Sequence, residues 1–135
     1  MTDPTEPAEV LQRRAAAALS AFVDVALDDD GSVRFDHSGA LCSLRAVTLV
    51  PGLDVLSLTS VLAWDRPPTA TLDERVAQRN ADLQFGAISV IRQPEGADVV
   101  LRYTVPAGGL DDDALTTMLA LVLTGVESSR QGLVP

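Results

Sequence analysis

From Val33 to Trp64 the chain reads as three strands, separated at Ser38-Gly39 and Pro51-Gly52. Such a run commits this part of the molecule to strands joined by tight turns. SVRFDH and ALCSLRAVTLV flank a two-residue Ser-Gly loop of the kind that closes a β-hairpin. The third strand, LDVLSLTSVLAW, sets Leu56, Leu58, Leu62 and Trp64 on one face and Val55, Ser57, Thr59, Val61 and Ala63 on the other. The first set is expected to pack on helices.

Helical spacing appears on either side of these strands. After a leader over residues 1–8 containing Pro4 and Pro7, expected to be disordered, Leu11, Ala15, Ala18, Phe22 and Val25 share one helix face. Gly31 follows an acidic run and is a plausible stop, although acids at 28–30 oppose the helix dipole and favour an end near Leu27. Pro67-Pro68 interrupts the chain, and Thr71 with Glu74 has capping-box spacing, so a short helix is predicted from about Thr71 to Asp82. Asn80 and Gly86 read as structural pieces of the corner that follows, Asn bonding nearby backbone and Gly allowing positive φ or close approach. GAISVIRQ and ADVVLRYTV form a second hairpin about PEG. Asp111 to Asp113 cap a last helix, apolar almost all round from Met118 to Val122, which implies a second layer or a partner subunit.

The predicted order is α-β-β-β-α-β-β-α, an α+β fold with an antiparallel sheet flanked by helices, in one domain over residues 9–133. A chain of 135 residues with 47% hydrophobic positions suits one core.

The formal net charge of -9 argues against nucleic acid and anionic lipid, whose sequence-independent binding needs basic surface. All ten basic residues are Arg, a bias that fits GC-rich coding. Cys42 is alone, consistent with a reducing compartment. The amino terminus has no signal-peptide pattern and no apolar run approaches the roughly 20 residues of a membrane span, so a cytoplasmic protein is expected.

The run RNADLQFGAI from Arg79 to Ile88, followed by VVLRYTVP and a closing apolar helix, resembles the YbjN family, described as sensory transduction regulators, of the type III secretion chaperone-like fold. The likeness runs from about Glu9 to Leu133. It implies a homodimeric, non-enzymatic protein that binds another polypeptide or adjusts a signalling pathway. It carries over no catalytic residues.

The chemistry-bearing residues do not converge on a reaction. His37 is the only histidine, which excludes a two-histidine metal site within one chain. The Ser38-Gly39 loop sets Phe35 opposite Cys42 with His37 one diagonal step away, yet no oxyanion-forming motif accompanies the pair, and a packed thiol is the expectation. DDDG at 28–31 lacks calcium-loop spacing, and no phosphate-binding glycine motif occurs. No metal or cofactor is expected.

Charge placement is more informative. Arg34, Arg45, Arg92 and Arg102 all lie in predicted strands, while most acids lie on helices, turns and strand ends. With helices on one sheet face, these arginines are expected to dot the other and receive an extended or acidic segment of another protein. Trp64, at a strand end, is expected to pack in the core or its rim and is a second candidate anchor for a partner. The alternative function is a small-ligand sensor, marked by polar groups facing an apolar cavity between sheet and helices.

Overall fold

A computed structural model describes residues 6–133. In chain order the elements are α1 (Glu6–Leu19), β1 (Ala26–Leu27), β2 (Val33–His37), β3 (Ala40–Val50), β4 (Leu53–Arg66), α2 (Ala70–Asp82), β5 (Ala87–Gln93), β6 (Gly96–Pro106) and α3 (Asp112–Ser129). The predicted α+β order holds, with a two-residue strand added at one edge. The six strands form one antiparallel sheet in the order β1-β2-β3-β4-β6-β5. Tight turns keep β2, β3 and β4 adjacent. Helix α2 then carries the chain outward, so β5 becomes the far edge and β6 returns to pair with β4.

The apolar sides of all three helices meet one sheet face in a single cluster. Leu11, Ala15 and Leu19 of α1, Leu72 and Val76 of α2, and Leu115, Leu119, Val122, Leu123 and Val126 of α3 pack with Leu44, Leu56, Leu58, Leu62, Ile88, Val99 and Leu101 of the sheet. This burial of apolar surface is the main stabilising term. It also absorbs most of the apolar circumference of α3, on which the expectation of a partner subunit rested, and leaves Leu121 as its exposed large apolar residue.

Several boundaries differ from expectation. Helix α1 includes residues 6–8, which had been assigned to the leader, and Ala8 is buried; residues 1–5 of that leader lie outside the described residues. At its other end α1 stops at Leu19, because the chain tightens into i→i−3 bonds from Ala21 to Ala18 and from Phe22 to Leu19. Phe22 is consequently exposed. The DDDG run is a turn between β1 and β2, in which Gly31 (φ 86°) donates to the Asp28 carbonyl at 2.9 Å. Helix α2 is capped two residues before Thr71, by Thr69, whose hydroxyl accepts from the Leu72 N–H at 3.2 Å. Asp111 caps α3 as expected, accepting from the Ala114 N–H at 2.8 Å.

Two side-chain amides complete the sheet where backbone partners run out. Gln12 of α1 accepts from the Ala46 N–H of β3 at 2.8 Å and donates to the Gly31 carbonyl. Asn80 of α2 engages both backbone groups of Ile88 on β5, donating to its carbonyl at 2.8 Å and accepting from its N–H at 2.7 Å. Buried backbone groups need partners, and here helices supply them.

Candidate functional site

With three helices on one face, the other face of the sheet is left uncovered by the described residues, and its composition follows from register. One row runs Arg34, Ser43, Thr59, Arg102 and Ala87 across β2, β3, β4, β6 and β5. The next in one direction is Asp36, Leu41, Val61, Val100 and Ser89; the next in the other is Arg45, Ser57 and Thr104. The face therefore places an apolar row beside a band of arginines and hydroxyls. Strands stand about 4.8 Å apart, so Arg34 and Arg102 are about 14 Å from one another.

Three of the four arginines expected on this face thus share it, against Asp36 as the acid in these rows. Arg34 lies 3.3 Å from Asp28, and Arg45 lies 4.0 Å from Asp30, both pairs largely exposed and therefore weak. Asp30 itself is held below the usual carboxylate range, chiefly by hydrogen bonds from the Ser32 hydroxyl at 2.6 Å and the Ser32 N–H at 2.9 Å, with Arg45 a lesser influence. Arg102 forms no ion pair among the described residues.

Arg92 is the exception. It lies opposite buried Ala97, on the helix-covered side, where its guanidinium meets Asp73 of α2 at 2.8 Å and the Pro68 carbonyl at 3.3 Å. Residues of β5 alternate, and Arg92 shares the parity of buried Ile88.

Trp64 departs from its expected core position through irregularities in β4. The register shifts between Val61 and Ala63 and again before Arg66, so Leu62 and Ala63 both enter the core and Trp64 is left 55% exposed beyond it. Asp65 takes φ 50°, and its N–H is held at 2.9 Å by the carboxylate of buried Asp98, which also accepts from Gln93 at 3.0 Å. Asp98 pairs with Ile91, itself 37% exposed, so Trp64 and Ile91 extend the apolar end of the open face beyond Leu41, Val61 and Val100. Sequence reasoning missed Asp98; an acid between two apolar stretches, GADVV, was its visible signal.

The remaining candidates form no reactive centre. Phe35 does pair with Cys42, but the Cys42 thiol sits 3.2 Å from the Ser60 hydroxyl, and burial pushes the thiol up despite that hydrogen bond. His37 lies 4.0 Å from Glu127, while the thiol's hydrogen-bond contacts are the Ser60 hydroxyl and the Ala40 carbonyl. Among the described residues there is no cluster of three or more metal-ligating side chains. Between sheet and helices, the space lined by Leu44, Leu58, Tyr103, Met118 and Val122 amounts to about 10 Å³ and is apolar, room for no more than a water. A cleft of about 370 Å³ lies instead at the surface between α2 and α3, near Arg79, Phe85 and Leu121.

Asn80 and Gly86 are structural, as expected. Gly86 has φ 96°, and a Cβ there would stand 2.9 Å from the Arg102 carbonyl oxygen. The corner they build is the motif on which the family likeness rests. A family model described as "Putative bacterial sensory transduction regulator", YbjN, matches residues 7–133. The chain belongs to the YbjN family. Among solved structures it is similar to the crystal structure of YbjN from E. coli, called "a putative transcription regulator", with 9% sequence identity, 88% of this chain and 92% of that chain covered, and a TM-score of 0.57. That likeness is one of fold. No curated protein matches the chain. No helix among the described residues is long and apolar enough to cross a membrane.

Proposed function

We propose that this YbjN-family chain is a non-enzymatic regulatory adaptor whose open sheet face binds an acidic segment of another polypeptide. The observation that carries the reading is the gathering of Arg34, Arg45 and Arg102 on one uncovered face of a chain with net charge -9, with Trp64 exposed at its apolar end. Arginine suits carboxylates because its planar fork can engage both oxygens, and aromatic residues are enriched among interface anchors. The family description as a regulator supports the adaptor role. Action in the cytoplasm is part of the proposal, consistent with the single, buried free Cys42.

The test is capture of partners by a tagged chain from its native cell extract, with Arg45→Glu/Arg102→Glu alongside. A stoichiometric partner lost in the double variant is expected. Retention of every partner by the variant would remove the open face from the proposal. Self-association, expected from the family resemblance, is checked by light scattering over a concentration series, where a strictly monomeric mass would exclude it.

A further inference from the structure

The face of a sheet offers a ligand only side chains, because strand N–H and C=O groups lie in the plane of the sheet and bond sideways. An extended segment laid on that face would lose water from its own backbone without gaining partners. Extended segments bind at strand edges instead. Here the outward backbone groups of Ile88 on β5 are occupied by Asn80, and the N–H of Ala46 on β3 is occupied by Gln12. A helix carries its backbone hydrogen bonds internally and needs only side-chain complementarity.

The rows of the open face have that complementarity. The apolar row, in which Leu41 is exposed, Val61 half-buried and Val100 a buried floor, and the row holding Arg34 and Arg102 are two residues apart along each strand, about 7 Å. One helix, roughly 10 Å across, covers both rows with an apolar stripe and an adjoining flank. Crossing β2, β3, β4 and β6, from Arg34 to Arg102, takes about 14 Å, or about ten helical residues. The charge needed on the flank is negative, since among the described residues Arg102 has no ion pair and Arg34 has only a weak one.

We infer that the occupant is an amphipathic α-helix of another protein, its apolar stripe on Leu41 and Val61 above the buried floor of Val100 and its carboxylates over Arg34 and Arg102. This rests on the reading of the open face as a polypeptide-binding surface and names the form of the polypeptide. A second copy of this chain is a poor source of such a helix, because the apolar faces of α1, α2 and α3 are already spent on its own core.

The probes are three labelled synthetic helices of about 16 residues, with leucine at i, i+3, i+4 and i+7 spacing. One has glutamate on the flanks, one has lysine there instead, and one is the glutamate peptide with two central prolines. Binding is read by fluorescence anisotropy and induced helicity by circular dichroism. The glutamate peptide is expected to bind and gain helicity, with the lysine peptide and the Arg34→Glu/Arg102→Glu variant each weakening binding about tenfold or more. Thermal melts of the variant confirm folding. Equal binding of the proline peptide, with its charge dependence intact, would overturn the helical form while leaving an acid-binding face. Binding that ignores both charge changes would overturn the face reading as well. No binding of the glutamate peptide up to about 1 mM, the weak end of useful affinities, would overturn the helix inference.

Discussion

The side-chain amide of Asn80 holds Ile88 at two points, donating to its carbonyl at 2.8 Å and accepting from its N–H at 2.7 Å, so one residue of α2 stands in for a neighbouring strand along the edge of β5. The same contact fixes how the chain leaves α2. It turns after Leu83, and only six residues separate Asn80 from the start of β5 at Ala87. Asn supplies a donor and an acceptor on one short, planar group, which neither Asp nor Leu can do. Asn80→Ala should therefore lower stability in urea by about 1–2 kcal/mol, the net worth of two partly exposed hydrogen bonds. Asn80→Asp should cost at least as much near neutral pH, because it sets a carboxylate against the Ile88 carbonyl. In either variant the Ile88 amide should exchange faster than in the parent, and unchanged exchange would show that the edge is held some other way.

Gly86 adds a steric requirement to the same corner. Its φ of 96° is unfavourable for any side chain, and a Cβ would meet the Arg102 carbonyl oxygen at 2.9 Å. Gly52, at φ 88°, has nothing within 4 Å of the same added atom. Gly52→Ala should then cost about 1 kcal/mol for backbone strain alone, and Gly86→Ala about 2–4 kcal/mol because strain and contact add. Equal losses for the two would argue that the Arg102 carbonyl moves aside freely.

The contrast between these residues shows what the sequence discloses. Turn chemistry at Ser38-Gly39 fixed the pairing of Phe35 with Cys42 in advance, since a two-residue loop leaves one register, and alternation then placed Arg34, Arg45 and Arg102 on a common face. Arg92 was misplaced because the count of charged strand residues took no account of its parity with buried Ile88. The bulges of β4 were hidden, and the second is accompanied by a bond from the Asp65 N–H to Asp98, 33 residues further along the chain. Helix α1 was extended too far on apolar spacing alone, which continues through Phe22 and Val25 after the backbone has left the helix. The structural role of Asn80 was legible from its place near a helix end, but its long reach to Ile88 was not. Gln12 was missed for a similar reason: its targets, Gly31 and Ala46, are distant in sequence.

Asp30 should impose a pH dependence of known sign. Hydrogen bonds from Ser32 favour its charged form and hold the folded carboxyl below its ordinary range. Its contribution is then fully present above about pH 4, the unfolded value, and is lost as the pH falls through the lower folded one. The stability difference between the parent and Asp30→Asn should be steady from pH 5 to 7 and shrink on further acidification. A difference that grew toward low pH would contradict the Ser32 contacts as its source.

Cys42 should be chemically quiet while the chain is folded. Burial raises the thiol, opposed by the Ser60 hydrogen bond, and the residue has no exposed surface. The thiolate is the reactive form, so alkylation near pH 8 should be slower in the native chain than in urea by on the order of a hundredfold or more. A raised folded pKa also means that the contribution of the protonated thiol is complete below the unfolded value of about 8.5 and is lost as the pH rises past it. Cys42→Ala should flatten that alkaline decline while lowering stability throughout, and fast native alkylation would show that the β2–β3 hairpin opens readily.

Trp64 offers the most direct check on the open face, because it is the single tryptophan and its exposure follows from the β4 bulges. At 55% exposed, with Leu62 and Ala63 taking the adjacent core positions, its indole should emit near the wavelength of a solvated tryptophan and be quenched efficiently by acrylamide in the folded chain. Unfolding should move the emission little. Asp98→Ala removes the carboxylate that holds the Asp65 N–H and accepts from Gln93, and should loosen this strand end. Leaving the Asp65 N–H without its partner is expected to cost about 1–3 kcal/mol, read by urea unfolding. The glutamate-flanked helix should shift the Trp64 emission to the blue on binding if its apolar stripe reaches this end of the face. Emission already blue and protected in the free chain would place Trp64 in the core, restore the simple alternation of β4, and remove it as an anchor.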